Sequence, residues 1–193
     1  MLIRNGKTIK LRINKKKQFG GLDMLILSID HSFSRTGYSL LDDYKLLATG
    51  SFCVGIMSYE NVMAFQERVD NLIKTHKPEI VITEKPAHMR NGDIARMLTS
   101  LHTVIILACL RNNTAYYMVN PKIMKKLVTG KGNATKEDVC NVLIEKYKFP
   151  EEYLCHKEYY KKDKTKVKEI YYDESDSVGN AISYLIERGT KFE

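Results

Sequence analysis

The sequence predicts an α/β layer fold built on a mixed β-sheet. Short apolar runs typical of buried strands come first, beginning with Leu25–Asp30, and two more strands follow without a helix between them. Amphipathic helical periodicity then alternates with two further short apolar runs. Strands that follow one another directly favour antiparallel pairing, whereas strands separated by helices favour parallel pairing, so one sheet should contain both kinds of neighbour.

Turn residues and helix breakers limit the predicted strands. Asp42-Asp43 forms the turn of a hairpin between the second and third strands, and Lys85-Pro86 ends the fourth. The predicted strands are residues 25–30, 37–41, 46–54, 79–84 and 115–120.

The helices carry start and stop signals of their own. Pro78 stops the first helix, Pro121 opens a short one, and Thr135 with Asp138 resembles a capping box. Gly189 is a stop signal for the last helix. The predicted helices cover residues 62–76 and 92–111, and three more start at or near residues 121, 135 and 173.

The second helix is apolar all round in its second half, from Val104 to Leu110. A helix without a polar face must be covered on both sides. Two explanations stay open: the helix lies deep in the core, or one of its sides faces a partner subunit. A charge placed at Ile105 or Ile106 is the mutation that the sequence suggests for testing the second.

Length and composition indicate one domain with a basic extension. The 193 residues can bury a sizeable core, and we divide them into an N-terminal extension, 1–23, and a domain, 24–193. The extension is either a solvated tail or an arm that binds phosphates. The net charge of +8 favours a polyanionic partner, although it also serves solubility.

The chain carries no pattern of a membrane or secreted protein. Its longest apolar run is too short to span a bilayer, and no signal peptide is recognisable. The four cysteines have no disulfide or zinc spacing, which fits a reducing compartment. We therefore expect a cytoplasmic protein, in the host cytoplasm if a phage encodes it.

Four acids are the candidate site. Asp30 and Glu84 end two strands that, as parallel neighbours, would bring their carboxylates to one edge of the sheet. Asp173 and Asp176 share a face of the last helix. Each pattern has an ordinary explanation, because Asp begins turns and exposed acids are common at helix starts. Together, however, such acids repel unless a hard cation such as Mg2+ holds them, as in metal-dependent phosphodiester hydrolysis.

The chain resembles the RuvC-type Holliday junction resolvases of the RNase H-like superfamily. Four motifs carry the resemblance: I-D30-x-x-x-x-x-T36-G37-Y38, I-T-E84, T129-G-K-G-x-A134-x-K136 and D173-x-x-D176-S-V-G-N-A181. They follow the family's order over residues 24 to 188.

The resemblance implies a mixed five-stranded sheet flanked by helices. It also implies that the four acids bind two Mg2+ ions, for which Mn2+ can substitute, and that Lys136 helps to neutralise the scissile phosphate. Without the motif, Lys136 would be interpreted as a surface lysine at a helix start. The family further implies a homodimer that cuts four-way DNA junctions symmetrically, and other branched DNA is a further candidate substrate.

Some positions depart from the family pattern. His31-Ser32 replaces a usual Pro-Gly, and Ala87-His88 stands where an aromatic residue is common. The segment 150–172 is predicted to be a long loop or insertion, in which interleaved Lys and Tyr suit a nucleic-acid surface or a solvated loop equally well. These departures suggest a divergent member. The candidate nucleic-acid contacts are His88, Arg90, Lys122, Lys131, Lys161 and Lys162.

The preferred hypothesis is a structure-selective, Mg2+-dependent DNA endonuclease. The first alternative is a nucleic-acid-binding protein of the same fold with an inactive site, against which the complete set of acids argues. The second is an RNase H-like nuclease that acts on RNA-containing substrates, since phosphate contacts look alike on all of them.

Overall fold

A five-stranded mixed sheet organises the chain. The computed structural model describes residues 2–4, 7–9, 24–56, 58–85, 92–161, 163–190 and 192. The strands are β1 (Leu2–Arg4), β2 (Lys7–Ile9), β3 (Leu25–Asp30), β4 (Thr36–Asp42), β5 (Lys45–Phe52), β6 (Ile80–Glu84), β7 (Ala115–Val119), β8 (His156–Tyr160) and β9 (Asp163–Tyr171). The helices are α1 (Tyr59–His76), α2 (Gly92–Arg111), α3 (Pro121–Thr129), α4 (Lys136–Glu145) and α5 (Asp173–Glu187), with a 3-10 turn at Glu151–Tyr153.

The strand order places the first and fourth predicted strands side by side. The order is β5-β4-β3-β6-β7, with β3, β4 and β5 antiparallel and β3, β6 and β7 parallel. The prediction of a mixed five-stranded sheet is therefore confirmed. Because Ile29 pairs with Thr83, the next residues, Asp30 and Glu84, end neighbouring strands at the same edge.

Two apolar cores sandwich this sheet. Because side chains alternate along a buried strand, Ile26 and Ile82 pack against α3, α4 and α5 on one face. Leu27, Ile29 and Val81 pack against α1 and α2 on the other. The centre of the sheet is thus covered by helices on both sides, which explains why its strands are apolar without polar alternation.

The apolar half of α2 lies in the core on one side only, and the explanation that its other side faces a partner subunit stays a prediction. Ile105 and Ala108 are fully buried in the core, whereas Leu107 and Leu110 are 45% and 42% exposed on the other side. The helix therefore covers the sheet with one side and presents apolar side chains to solvent with the other.

The segment after α4 contains a 3-10 turn and a β-hairpin, so the long-loop alternative for 150–172 was wrong, whereas the insertion alternative stays a prediction. Strands β8 and β9 pair antiparallel, with irregular register near Tyr159. Nearly every side chain of β9 is exposed. A hairpin with solvent on both faces needs no alternation of polar and apolar residues, which is why periodicity does not reveal it.

Three smaller predictions concern the rest of the chain. In the basic extension, the short strands β1 and β2 pair antiparallel, and the remainder of 1–23 lies outside the described residues. The four cysteines are free thiols, as expected. Among the described residues, no helix combines the length and the apolar character that crossing a membrane would require.

Candidate functional site

An open cleft of about 500 Å³ lies where β3 and β6 end beside the start of α5. The predicted acids and the predicted lysine all line it. They are Asp30, Glu84, Asp173, Asp176 and Lys136, and we call the first four the cleft acids. The structure thus brings together side chains that are up to 146 positions apart in the chain, from Asp30 to Asp176.

The strand ends and a glycine set the position of the cleft acids. Asp30 and Glu84 are the last residues of parallel neighbours, on the sheet face that α5 covers. Strand β4 approaches α5 so closely at Gly37 that a Cβ there would stand 2.1 Å from the carbonyl oxygen of Asp173. Glycine is therefore required at this contact, and it lets the first turn of α5 dock against the sheet.

The first turn of α5 is held by an arginine from the β3–β4 loop. Arg35 forms ion pairs of 3.3 Å with Asp173 and with Glu174, and its guanidinium lies 4.9 Å from the ring centre of Tyr171. The loop itself is closed by Thr36, whose hydroxyl donates to the Ser32 carbonyl at 2.6 Å. These contacts join the loop, the end of the β8–β9 hairpin and α5 into one support.

Burial makes the ionised cleft acids costly. Desolvation, followed by repulsion from Asp176 and Glu84, raises the pKa of Asp30 well above its ordinary value. Burial likewise raises the pKa of Glu84, Asp176 and Asp173, each against the opposing charge of Lys136. Buried carboxylates of this kind are stabilised when a cation enters among them.

Lys136 is the lysine of the cleft that pairs directly with a cleft acid. It is the first residue of α4, and the predicted capping box fixes it there: Thr135 accepts from the amide of Asp138 at 3.0 Å, and the Asp138 carboxylate accepts in return at 2.8 Å. Its ammonium forms an ion pair with Asp176. Burial alone would lower the pKa of Lys136, but the Asp176 carboxylate overcomes this and raises it, so the lysine is charged.

The donor chemistry of the cleft fits hard divalent cations. Carboxylate oxygens are the ligands that Mg2+ and Mn2+ prefer, and the raised pKa values indicate carboxylates that lack sufficient positive charge. In the part of the chain that the structure describes, no three acidic, histidine or cysteine side chains already converge as ligands of one ion. Asp176 and Asp173 are instead turned to Lys136 and Arg35, so ion binding requires these carboxylates to reorient.

Among the described residues, the predicted nucleic-acid contacts do not line the cleft. Lys122, Lys131 and Lys161 are exposed, and they lie outside its lining. His88, Arg90 and Lys162 lie outside the described residues.

Several cleft residues were missed by sequence reasoning. Lys125 and Lys85 line the cleft, and the charge of Lys125 partly opposes the burial that raises the pKa values of Glu84 and Asp176. Arg35 was missed as well, although it is the only cation in the polar turn that follows Asp30, a signal that could have found it. Lys125 offers no such signal, because it is one of several lysines on an amphipathic helix.

His31, noted in the sequence only as a departure, also lines the cleft. Burial, and then the charge of His102, lowers its pKa to about 4, so its imidazole is neutral at physiological pH. Its Nδ1 atom has no hydrogen-bond partner among the described residues.

Comparisons with known proteins agree on one family. The family model described as crossover junction endodeoxyribonuclease RuvC matches residues 26–153, a range that contains Asp30, Glu84 and Lys136. The crossover junction endodeoxyribonuclease RuvC of Brachyspira hyodysenteriae is 32% identical over 120 residues, which cover 59% of this chain and 75% of that protein.

Solved structures support the same fold. Thermus thermophilus RuvC in complex with a Holliday junction substrate superposes with a TM-score of 0.64 at 17% identity, covering 86% of this chain and 97% of that one. The yeast mitochondrial Holliday junction resolvase Ydc2 also gives a TM-score of 0.64, at 14% identity, over 87% of this chain and 80% of its own.

Proposed function

The chain belongs to the RuvC family of crossover junction endodeoxyribonucleases, and from that premise we propose that it resolves four-way DNA junctions by Mg2+-dependent hydrolysis in the acidic cleft. One observation carries the proposal: the cleft acids and Lys136 line a single open cleft at the carboxyl ends of β3 and β6. An edge of this kind is where open α/β sheets bind ligands.

The cleft acids are the proposed ligands of two Mg2+ ions. Bound there, the ions would supply an activated water and compensate the charge of the leaving oxygen. Asp30 reaches the interior of the cleft from the sheet, while Asp173 and Asp176 approach from α5. Arg35 holds Asp173 through its ion pair and thereby keeps the start of α5 in place.

Lysines complete the proposed mechanism. Because its side chain is 53% exposed, the charged Lys136 can turn from Asp176 toward a phosphate oxygen when metal neutralises the acids. Lys85 and Lys125 line the same cleft and add positive charge beside the DNA backbone. In this mechanism no protein side chain acts as the nucleophile, since the attacking group is water.

The β8–β9 hairpin is the proposed DNA arm. It ends at Tyr171, two residues before Asp173 in the chain, and carries exposed aromatic and basic side chains. They include Tyr159, Tyr160, Lys161 and Lys164. Lysines that follow a phosphate backbone and tyrosines that stack on bases are the usual elements of such a surface.

A homodimer is the proposed assembly. The exposed side of α2, with Leu107 and Leu110, is an apolar surface on the helix whose other side is in the core. Two copies packed through this side would present two clefts to one junction, and paired incisions require two active sites.

A cleavage panel tests the proposed function. Four-way junction, Y-fork, duplex and RNA–DNA hybrid are each incubated with the protein and Mg2+. We expect preferential cutting of the four-way junction, and we expect Asp176→Asn to reduce cutting by about 10²-fold or more while junction binding persists. Undiminished cutting by this variant would contradict the metal-site assignment. Binding without cutting by the unmodified protein would favour the inactive binder.

A further inference from the structure

A second polar group adjoins the cleft and extends over the opposite face of the sheet. Because side chains alternate along β6, Glu84 faces α5 and its neighbour Thr83 faces α2. His31, the residue after Asp30, lines the cleft and also contacts His102 on α2. Thr83 is fully buried and His31 is 7% exposed. Each proposed metal ligand at a strand end therefore adjoins a buried polar residue.

These residues belong to a group that spans three strands and a helix. The Thr83 hydroxyl lies 3.0 Å from the hydroxyl of Tyr116 on β7, which lies 2.5 Å from Nε2 of His102 on α2. The rings of His102 and His31 have centroids 5.5 Å apart. We call His31, Thr83, His102 and Tyr116 the rear polar cluster.

Much of the contact between α2 and the sheet is apolar among the described residues. Its buried members include Leu27, Ile29, Val81, Leu101, Val104, Ile105 and Ala108. Apolar packing is not directional, so it specifies the position of a helix less strictly than hydrogen bonds do. Buried hydrogen bonds are directional and expensive to break, so they hold one arrangement. The rear polar cluster supplies such bonds at the end of the sheet where the cleft lies.

We propose that the rear polar cluster is a positioning device that fixes the separation of the strand ends carrying Asp30 and Glu84, and thereby sets the metal affinity of the cleft. This inference rests on the proposed function. Groups that support metal ligands from behind commonly contribute about 10- to 100-fold to metal affinity. The cluster also ties the catalytic strands to α2, the helix that carries the proposed dimer surface.

The test removes single hydroxyl groups and keeps side-chain shape. Tyr116→Phe and Thr83→Val each remove the side-chain hydrogen bond between Thr83 on β6 and Tyr116 on β7. We expect Mn2+ binding, measured without DNA by the electron paramagnetic resonance of the free ion, to weaken by about 10-fold. The Mg2+ concentration for half-maximal cleavage should rise equally, whereas the affinity for junction DNA stays the same. Thr83→Ser retains the hydroxyl, so its Mn2+ affinity and its Mg2+ concentration for half-maximal cleavage should match those of the unmodified protein.

Tyr117→Phe is the matched control. Tyr117 is the next residue on β7, and its hydroxyl donates to Glu187 at 2.8 Å near the surface. We expect this variant to bind Mn2+ like the unmodified protein. A role in stability alone would lower the melting temperature of the cluster variants without changing their metal affinity, and that result would overturn the inference. An equal loss in Tyr117→Phe would overturn it too.

The outcomes separate this inference from the proposed function. If the unmodified protein cuts junctions and the cluster variants bind Mn2+ normally, only the inference fails. If the unmodified protein binds Mn2+ and the cluster variants bind it less tightly, yet no junction is cut, only the proposed function fails. If the unmodified protein neither binds Mn2+ nor cuts, both fail.

Discussion

At the scale of single residues, the cleft combines partly buried acids with a charged lysine that pairs with one of them. Replacing Lys136 by Met keeps the length of its stem and removes the charge. We expect cleavage to fall by about 10²-fold, the usual cost of losing one charged group that stabilises the transition state. Since Lys136 is 53% exposed, folding should persist. Single-turnover cleavage and circular dichroism measure the two effects, and full activity in this variant would contradict the role of Lys136.

The raised pKa of Asp30 leads to a prediction on stability and pH. A carboxyl whose native pKa exceeds its unfolded value binds protons more tightly in the folded state. The free energy of unfolding of the metal-free protein must then fall as pH rises from the ordinary Asp value of 3.8 through the raised native pKa. At pH values above both pKa values, each unit by which the native pKa of Asp30 exceeds the unfolded value lowers the free energy of unfolding by about 1.4 kcal/mol.

We therefore expect Asp30→Asn to raise the melting temperature of the metal-free protein at pH 7, and Mg2+ to stabilise the unmodified protein more than this variant. Asp163→Asn is the control. Hydrogen bonds from Thr165 lower the pKa of the Asp163 carboxyl, so removing this charge should not raise the melting temperature. Thermal melts with and without Mg2+ measure both. A lower melting point for metal-free Asp30→Asn would contradict the prediction.

The cleft acids could be predicted because their positions are marked in the sequence. Asp30 and Glu84 end apolar runs, and Asp173 and Asp176 have helical spacing at a helix start. The rear polar cluster could not be predicted in this way. His102 is a single histidine on an apolar helix, and only the pairing of three strands brings it next to a tyrosine and a threonine.

At the scale of elements, the docking of α5 against β4 determines where two cleft acids lie. Gly37→Ala would place a methyl group 2.1 Å from the Asp173 carbonyl oxygen. Since backbone cannot yield as a flexible side chain does, we expect a loss of about 1–3 kcal/mol in the free energy of unfolding and a large loss of cleavage. In Gly92→Ala the methyl group would meet nothing within 4 Å, so this control should change neither. Urea titration measures the free energy of unfolding, and cleavage assays measure the activity. A stable and active Gly37→Ala would contradict the requirement for glycine at this contact.

The β8–β9 hairpin shows where periodicity fails as a predictor. The buried elements, from β3 to α5, were predicted to within one or two residues at most ends, because burial imposes a pattern on them. The hairpin has solvent on both faces, so burial imposes no pattern of apolar residues on its sequence. Its residues are constrained by pairing along the backbone and by the contact of Tyr171 with Arg35, and neither leaves a periodic signal.

The same exposure makes the hairpin testable as a DNA arm. Lys161→Gln together with Lys164→Gln should weaken junction binding and reduce the salt dependence of log K by about one per lysine. Stability should not change, because both side chains are exposed. Lys74→Gln, on an exposed position of α1, is the control. Fluorescence anisotropy over a range of salt concentrations measures the slope, and an unchanged slope would contradict the proposed arm.

At the scale of the whole molecule, α2 would link the proposed assembly to the cleft. Its core side packs on the sheet, its exposed side is apolar, and its polar contacts support the strand ends that carry the cleft acids. Sequence alone suggested Ile105 or Ile106 for a disrupting charge. Ile105 is fully buried, so a charge there would unfold the protein rather than divide a dimer.

Leu107→Glu is the variant that the structure recommends, because this side chain is 45% exposed and lies on the outer side of α2. We expect a sedimentation mass of two subunits for the unmodified protein and of one for the variant. The variant should fold normally, and its incisions in the two opposing strands of a junction should become independent, since each subunit would act alone. Leu47→Glu, at 44% exposure on β5, controls for the added charge and should remain dimeric. A dimeric Leu107→Glu, or a monomeric unmodified protein, would contradict an interface through α2.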